Sequence, residues 1–278
     1  MSTPVITPQE FEFLRSLLLQ HAALVLDPGK EYLVEARLTP LAKRGGHGDL
    51  HGYLSKVRSA PTFEVRQTIV EAMTIHETSF FRDGKPFEVL RSTLLPQIIA
   101  ARRAARELYL WSAASSTGQE PYSLAMLLRE HFREVLDWKL KIFATDISHE
   151  AIAKAQKGRF SQLEVNRGLP AALRAKYLER DGDDWQVGDE IRRLVEFKQA
   201  NLAAGWPAMP PLDLALVRNV LIYFSPDTKR DILGRVHRAL RPDGFLLLGT
   251  GETTYNLNAA LERVQLEGAC CYQPVRRG

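Results

Sequence analysis

Apolar residues follow two different rhythms along the chain. In residues 1–75 they recur every three or four positions, the period of helices with one buried face. Phe11, Leu14, Leu17 and Leu18 form one stripe, and Leu33, Ala36, Leu41 and Ala42 a second. Leu50, Tyr53, Leu54 and Val57 form a third, and Val65, Ile69, Ala72 and Met73 a fourth. Thr7-Pro8-Gln9-Glu10 has capping-box spacing with proline at the first helical position. The second helix is expected to start near Pro28-Gly29-Lys30 and stop at Gly45-Gly46, and Pro61 to open the fourth. Four short helices with small loops predict an all-α bundle.

Beyond residue 76 the rhythm changes. A helix is expected from Pro86 to about Arg106. Near-continuous apolar runs then alternate with helical stripes. The runs are Leu108–Trp111, Leu140–Ala144, Leu212–Val217 and Phe245–Gly249. The stripes are Leu124, Ala125, Leu127 and Leu128; Ala151, Ile152 and Ala155; and Ile232, Leu233, Val236 and Leu240. Strand–helix alternation with fully apolar strands predicts an α/β domain on a parallel sheet. Residues 157–198 interrupt it. Trp185-Gln186-Val187 and Ile191–Phe197 flank Gly188-Asp189-Glu190, which predicts a hairpin in a small β insertion. Arg241-Pro242-Asp243-Gly244 reads as a turn, and Ala269–Pro274 as a closing edge strand. The expected division is a helical domain at 1–75 and an α/β domain at 76–278.

Composition narrows the class. Of 278 residues, 45% are hydrophobic and 25% charged, as in soluble globular chains. No apolar run approaches bilayer length. The start, Met-Ser-Thr-Pro-Val-Ile-Thr-Pro, has neither the basic flank nor the apolar core of a secretory signal. The two cysteines, Cys270 and Cys271, are adjacent and provide neither a disulfide framework nor metal-ligand spacing, which suits a reducing cytosol. No metal is expected. Net charge is +4. Arg37, Lys43, Arg44, Lys56, Arg58, Arg66, His47 and His51 gather in the helical part. They read either as a solvated surface or as a docking face for an acidic helical partner. Too few aromatics lie among them for a single-stranded nucleic-acid platform.

The chemistry points to a ligand at strand ends. Residues 108–122 run from an apolar strand through small residues to Gly118, Glu120 and Pro121. Strand, tight turn and helix is how open α/β sheets present nucleotide-like ligands, although G-x-G-x-x-G is absent. Asp146 ends the second strand and is placed to accept from ribose hydroxyls; Ser148 can cap the next helix in its stead. Thr78 and Arg82, in the segment 73–83, read either as a linker around two plugging phenylalanines or as contacts to an anionic group. Arg218–Phe224 follows the strand Leu212–Val217, at the end where ligands bind.

Five motifs occur in order: Thr78-Ser79-Phe80-Phe81-Arg82, Trp111-Ser112-Ala113-Ala114-Ser115-Ser116-Thr117-Gly118-Gln119-Glu120-Pro121-Tyr122-Ser123, Ala144-Thr145-Asp146-Ile147, Asn201-Leu202, and Arg218-Asn219-Val220-Leu221-Ile222-Tyr223-Phe224. Together they closely resemble the CheR family of chemotaxis receptor methyltransferases. The resemblance runs from the N-terminal bundle to about Gly251. It implies a Rossmann-like S-adenosylmethionine-dependent methyltransferase domain with a small antiparallel β insertion, preceded by an all-α N-terminal domain. The implied activity is methylation of glutamate side chains on transmembrane chemoreceptors, giving γ-glutamyl methyl esters and S-adenosylhomocysteine.

By resemblance, Thr78 and Arg82 contact the methionine end of the cofactor, and Arg82 also faces the substrate. Glu120 and Asp146 match the cofactor-binding and ribose-binding acids. Asn201-Leu202 and Asn219-Val220 match the pairs lining the adenine and methionine ends. Tyr223 matches a tyrosine that positions the incoming carboxylate. The family often has Asn where His76 stands, so His76 is an altered cofactor contact, and Gln119 replaces a more usual Glu. The short acidic stretch Arg180–Trp185 suggests docking independent of a receptor-tail peptide, and a tetratricopeptide extension is not expected. The implied partner is the cytoplasmic helical methylation region of the receptors, met by the basic N-terminal helices of a cytoplasmic monomer. Two other readings are a nucleic-acid methyltransferase and a cofactor-sensing module without turnover. The Asn/Asp-Pro-Pro-aromatic motif expected of the first is absent from the Arg218 segment, where Arg218-Asn219-Val220-Leu221 stands instead.

Overall fold

The computed structural model describes residues 6–60 and 62–275, so the expected helix opening at Pro61 and the first five residues lie outside the described part. The chain forms two compact units, Met1–Ile75 with Tyr223–Thr228, and His76–Ile222 with Lys229–Gly278.

The first unit holds α1 (Pro8–Ala22), α2 (Glu31–Arg44), α3 (Leu50–Ser59) and α4 (Phe63–Met73). Their starts follow local chemistry. Thr7 and Glu10 form the reciprocal capping box of α1. Asp49 caps α3 and Thr62 caps α4 through side-chain oxygens. The buried stripe of α2 is Val34, Leu38 and Ala42, rotated from the one predicted, and Ala36 is exposed. Spacing of four selects Val34, Leu38 and Ala42 together, all three fully buried. Arg37 lies beside that stripe. Its Nη1 donates to the carbonyls of Met73 and Thr74 at 2.7 and 3.0 Å, satisfying the end of α4. His51 Nδ1 lies 2.9 Å from the Glu10 carboxylate. Two of the predicted docking cations therefore have partners inside the bundle. Residues 223–228 join this unit: Leu24 bridges Phe224, and Val25 N–H donates to the Tyr223 carbonyl at 2.9 Å.

The second unit starts with α5 (Lys85–Val89), a π turn (Leu90–Leu94) and α6 (Leu95–Arg102). The π turn has a covalent cause. Pro96 lacks an N–H, and its ring would collide with the Ser92 carbonyl in a regular α-helix. Then come β1 (Glu107–Ala113), α7 (Gln119–His131), β2 (Lys139–Asp146), α8 (His149–Lys157), β3 (Arg159–Ser161), α9 (Gln162–Asn166) and α10 (Ala171–Tyr177). β4 (Leu178–Asp181), β5 (Asp184–Val187), α11 (Asp189–Arg192), β6 (Val195–Gln199) and β7 (Leu212–Val217) follow. The unit ends with α12 (Pro226–Ala239), which begins in the first unit, then β8 (Leu240–Leu248), β9 (Leu261–Val264) and β10 (Cys270–Pro274).

The main sheet has the order β6-β2-β1-β7-β8-β10-β9. β6, β2, β1, β7 and β8 are parallel, and β10 runs against both β8 and β9. Strand order reverses between β1 and β7, the topological switch point of a Rossmann-like sheet.

Three details differ from the sequence expectation. The insertion is a separate sheet, β3-β5-β4, whose tight turn is at Gly182 (φ 63°). Val195–Gln199 is no part of it and pairs in parallel with β2. After Val187 the chain makes a helical turn, with Ile191 and Arg192 N–H groups donating to the Gly188 carbonyl, so it crosses over instead of reversing. Residues 241–244 lie within β8 as an irregularity opposite Leu212–Leu214. Gly244 is needed there, because a Cβ would sit 2.8 Å from the Leu212 carbonyl oxygen. Finally, Cys270–Pro274 is flanked on both sides, and the edge is β9.

Asp213, fully buried at the start of β7, anchors the sheet. It accepts from Tyr109 N–H at 2.8 Å and from Arg102, which also grips Asp243. Burial pushes the Asp213 carboxyl above its ordinary range; the Tyr109 N–H and Arg102 pull it back. Arg102→Ala should cost about 1–3 kcal/mol in urea unfolding, because it leaves the buried Asp213 carboxylate with only the Tyr109 N–H and Arg241, whose Nε lies 3.1 Å away. A folded-state pKa raised above the unfolded value favours folding at low pH, and that contribution is lost as pH rises through the folded value. Arg102→Ala removes a cation that opposes the rise, so its stability deficit should grow with pH. Gly168→Ala should also destabilise, by about 1–3 kcal/mol. Gly168 has φ 92°, and a Cβ there would lie 2.0 Å from the Phe80 carbonyl oxygen. Thermal melting and urea titration measure this.

Candidate cofactor and active site

The C-terminal ends of β1 and β2 turn into loops that side chains hold in place. After β1, Ala114 (φ 51°) and Ser116 (φ 50°) adopt the left-handed conformation, followed by Gly118 (φ 98°). Gly118 is needed for space as well, since a Cβ would lie 3.0 Å from that of Ala155. This loop delivers the N-terminus of α7. Asp146, at the end of β2, is buried and spans the gap between loops: Oδ2 accepts from Ser116 N–H at 2.8 Å and Oδ1 from Ser148 N–H at 2.9 Å. The Ser148 hydroxyl caps α8 by accepting from Ala151 N–H, as expected. Burial raises the Asp146 carboxyl above its usual range, opposed by those two N–H groups and then by nearby His76. Ser116 also reaches the segment before α5, its hydroxyl donating to the His76 carbonyl at 3.0 Å. His76, Ser116 and Asp146 thus form one connected corner.

Thr78 and Arg82 are half-buried in that same segment. Arg82 is flanked by two residues in the left-handed region, Phe81 (φ 46°) and Asp83 (φ 70°). Such backbone persists only where neighbours hold it. Phe81 N–H donates to Ser123 Oγ at 2.9 Å, and Ser123 Oγ donates in turn to the Gln119 carbonyl. The Arg82 guanidinium donates to the Glu77 carbonyl at 3.0 Å.

Glu120, in the first turn of α7, is half-buried. Its Oε1 accepts from Ser112 Oγ and its Oε2 from Arg218 Nη1, each at 2.8 Å. Arg218 is fully buried at the end of β7, and its Nη2 donates to Asp83 Oδ2 at 2.7 Å and the Arg82 carbonyl at 3.1 Å. The motif containing Arg218 was visible in the sequence, but nothing in its spacing marked the arginine as a hub.

Asn219 (φ 59°) and Val220 follow Arg218. Their N–H groups, with those of Leu221 and Gly249, all donate to the carboxylate of Glu252 at 2.7–2.9 Å. Glu252 is buried and carries no signal in the sequence, because three of its four partners lie 31–33 residues upstream. A Cβ on Gly249 would lie 2.8 Å from both Asn219 Nδ2 and Glu252 Oε2, so glycine permits this approach.

Asn201 and Leu202 follow β6. Asn201 Oδ1 accepts from Ala203 N–H at 2.9 Å, and the buried Leu202 presents its carbonyl to Trp206 Nε1 at 2.9 Å. The Trp206 ring lies 4.7 Å from that of Trp111 in β1, and the Arg235 guanidinium is 4.0 Å from its centroid. Tyr223 is half-buried in the first unit.

The donor set fits a nucleoside-bearing, amino-acid-like cofactor. Asp146 and Glu120 each keep acceptor capacity beyond two hydrogen bonds. Ser115 Oγ and Asn219 Oδ1 are buried without a partner among the described residues, one in each loop at the switch point. Among those residues no group of three His, Cys, Asp or Glu could hold a metal ion, and no helix is long and apolar enough to cross a membrane.

Comparison with known proteins agrees with this architecture. Residues 76–270 match the family model of the CheR methyltransferase SAM binding domain, and residues 9–74 that of the CheR methyltransferase all-alpha domain. Chemotaxis protein methyltransferase 1 of Pseudomonas aeruginosa is 38% identical over 269 residues, covering 95% of this chain and 97% of that protein. Chemotaxis protein methyltransferase Cher2 of Pseudomonas putida is 36% identical over 268 residues, covering 95% and 97%. A chemotaxis protein methyltransferase of Vibrio parahaemolyticus is 37% identical over 276 residues, covering 98% and 99%. With both family models matched in order and relatives aligned nearly end to end, the chain belongs to the CheR family of S-adenosylmethionine-dependent methyltransferases.

Proposed function

We propose that this chain methylates glutamate side chains in the cytoplasmic helical region of transmembrane chemoreceptors, producing γ-glutamyl methyl esters. The observation that carries this reading is the meeting of the His76–Asp83 segment with the Ser116–Glu120 loop and Asp146 at the switch point. These segments bear the family's cofactor motifs. Asp146 would hold the ribose, Asn201 and Leu202 the adenine end, and His76, Thr78, Arg82, Glu120, Asn219 and Val220 the methionine end. When bound, the cofactor supplies a methyl group already activated on a sulfonium.

The chain's residues then need to supply geometry more than acid–base chemistry. A glutamate carboxylate has an unperturbed pKa of about 4.3, so it is ionised near neutrality and needs no general base. Arg82 and Tyr223 would orient that carboxylate. Arg82 is suited to this because its fork of donors matches two oxygens. Pairing that was too tight would blunt the nucleophile, so orientation is the larger part of its role. The exposed Lys43, Arg44, Lys56 and Arg58 of the first unit offer a docking face for acidic receptor helices. The short turn at Gly182 supports docking without a receptor-tail peptide. We read the protein as a cytoplasmic monomer, with residues 1–75 serving recognition and 76–278 the chemistry.

The direct test is incubation of the protein and receptor fragments with radiolabelled S-adenosylmethionine. Base-labile label on the receptor is the expected result; its absence, or base-stable label on RNA instead, rejects the reading. Arg82→Ala should lower turnover about 100-fold while leaving the melting temperature unchanged. Asp146→Asn should weaken binding of S-adenosylhomocysteine roughly tenfold or more in calorimetry, through loss of a charge-assisted acceptor. Unchanged affinity would remove Asp146 from the ribose site.

A further inference from the structure

Arg218 makes two sets of contacts that reach different parts of the proposed machinery. One arm, Nη1, pairs with Glu120 Oε2 at 2.8 Å. The other, Nη2, pairs with Asp83 Oδ2 at 2.7 Å and donates to the Arg82 carbonyl at 3.1 Å. Its side chain is 1% exposed. It packs with its guanidinium carbon 5.9 Å from the Phe87 ring centroid, and its Nε is buried with no partner among the described residues.

A fully buried cation carries a large desolvation cost, which is offset here by two carboxylates and a carbonyl. The contacts are specific in placement. Glu120 belongs to the first turn of α7, whereas Asp83 and the Arg82 carbonyl belong to the left-handed segment around Arg82. Side-chain hydrogen bonds from other residues also hold these parts, Ser112 for Glu120 and Ser123 for Phe81. Arg218, however, hydrogen-bonds both the Glu120 carboxylate and the Arg82 backbone, and so links the two parts directly. A planar fork with fixed donor directions transmits position in a way that a point-charge ammonium does not.

We infer that Arg218 is a positioning residue that sets the cofactor-holding carboxylate of Glu120 and the backbone of Arg82 in one fixed relation. It touches neither reactant; it acts through those two residues. The inference rests on the roles proposed above for Glu120 and Arg82. The two arms are separable. Loss of the Glu120 arm should be felt first in cofactor affinity, and loss of the Asp83 arm, which acts through a residue facing both cofactor and substrate, mainly in turnover at saturating cofactor.

Asp83→Asn is the selective probe. Asparagine keeps the shape and tolerates the left-handed φ of 70°, while removing the charge that grips Nη2. Three quantities are measured on the full chain: melting temperature, S-adenosylhomocysteine affinity by calorimetry, and single-turnover methyl transfer to receptor fragments at saturating cofactor. Asp83→Asn is expected to weaken affinity by no more than about threefold and to lower the single-turnover rate by tenfold or more, up to the ~100-fold that a displacement near 1 Å can cause. Arg218→Lys, which keeps the charge but not the fork, is expected to lose in both affinity and rate while remaining folded.

The inference is overturned if Asp83→Asn leaves the rate unchanged or lowers rate and affinity in equal proportion. It is also overturned if folded Arg218→Lys matches wild type in both. Should Arg218→Lys fail to fold, the Asp83→Asn split decides. A wild-type protein that binds S-adenosylhomocysteine but labels no receptor defeats the proposed function instead. The affinity arm is then still readable: unchanged affinity in folded Arg218→Lys overturns the coupling, and weakened affinity supports it.

Discussion

Four backbone N–H groups beyond β7 and β8 converge on one carboxylate, that of Glu252, and the loops at these strand ends depend on that convergence. Parallel strands that end inside a protein leave amides with no strand to pair with, and buried amides have to find acceptors. Glu252 meets this need for the Asn219–Leu221 turn. Asp146 does the same across β1 and β2 by taking the Ser116 and Ser148 amides. Two carboxylates, one on each side of the switch point, turn frayed strand ends into ordered backbone. The left-handed residues Ala114, Ser116 and Asn219 are held between them.

β7 shows how much polarity the core spends on register. All six of its residues are buried. A fully apolar strand could slide, because its two faces look alike to its neighbours. Asp213 near its start and Arg218 just past its end remove that freedom. A slip by one residue would carry Asp213 away from Tyr109 N–H and Arg102, and Arg218 away from Glu120 and Asp83. Buried ion pairs add little net stability compared with apolar packing, but breaking one is costly, which suits them to penalising wrong alignments.

What could be read from the sequence divides along range of interaction. Thr7 with Glu10, and Ser148 with Ala151, are contacts three residues apart, and both caps were visible as spacing. The apolar runs of β1, β2, β7 and β8 were visible because burial on both faces leaves few polar residues. Val195–Gln199 is ambiguous in the sequence, because a short run with one deeply buried residue fits either a hairpin or a sheet-edge strand. Only its pairing with β2 distinguishes them. The π turn follows from Pro96 but needs an otherwise continuous helix to be recognised. Asp146 and Glu120 stood out through motif resemblance; Glu252 and the double grip of Arg218 did not. Three of the four Glu252 partners are 31–33 residues away and those of Arg218 98–136, and no local pattern encodes them.

Trp111 and Trp206 have a consequence of another kind. Their rings lie 4.7 Å apart at an interplanar angle of 51°, with Trp206 hydrogen-bonded to Leu202 and faced by Arg235. Rings this close are in packing contact, so each indole sits in a fixed asymmetric environment set by the other. The molecule thus carries a native chromophore pair with one ring on a rigid strand and the other in the loop after β6. Near-ultraviolet circular dichroism therefore gives a label-free optical gauge of how that loop is seated.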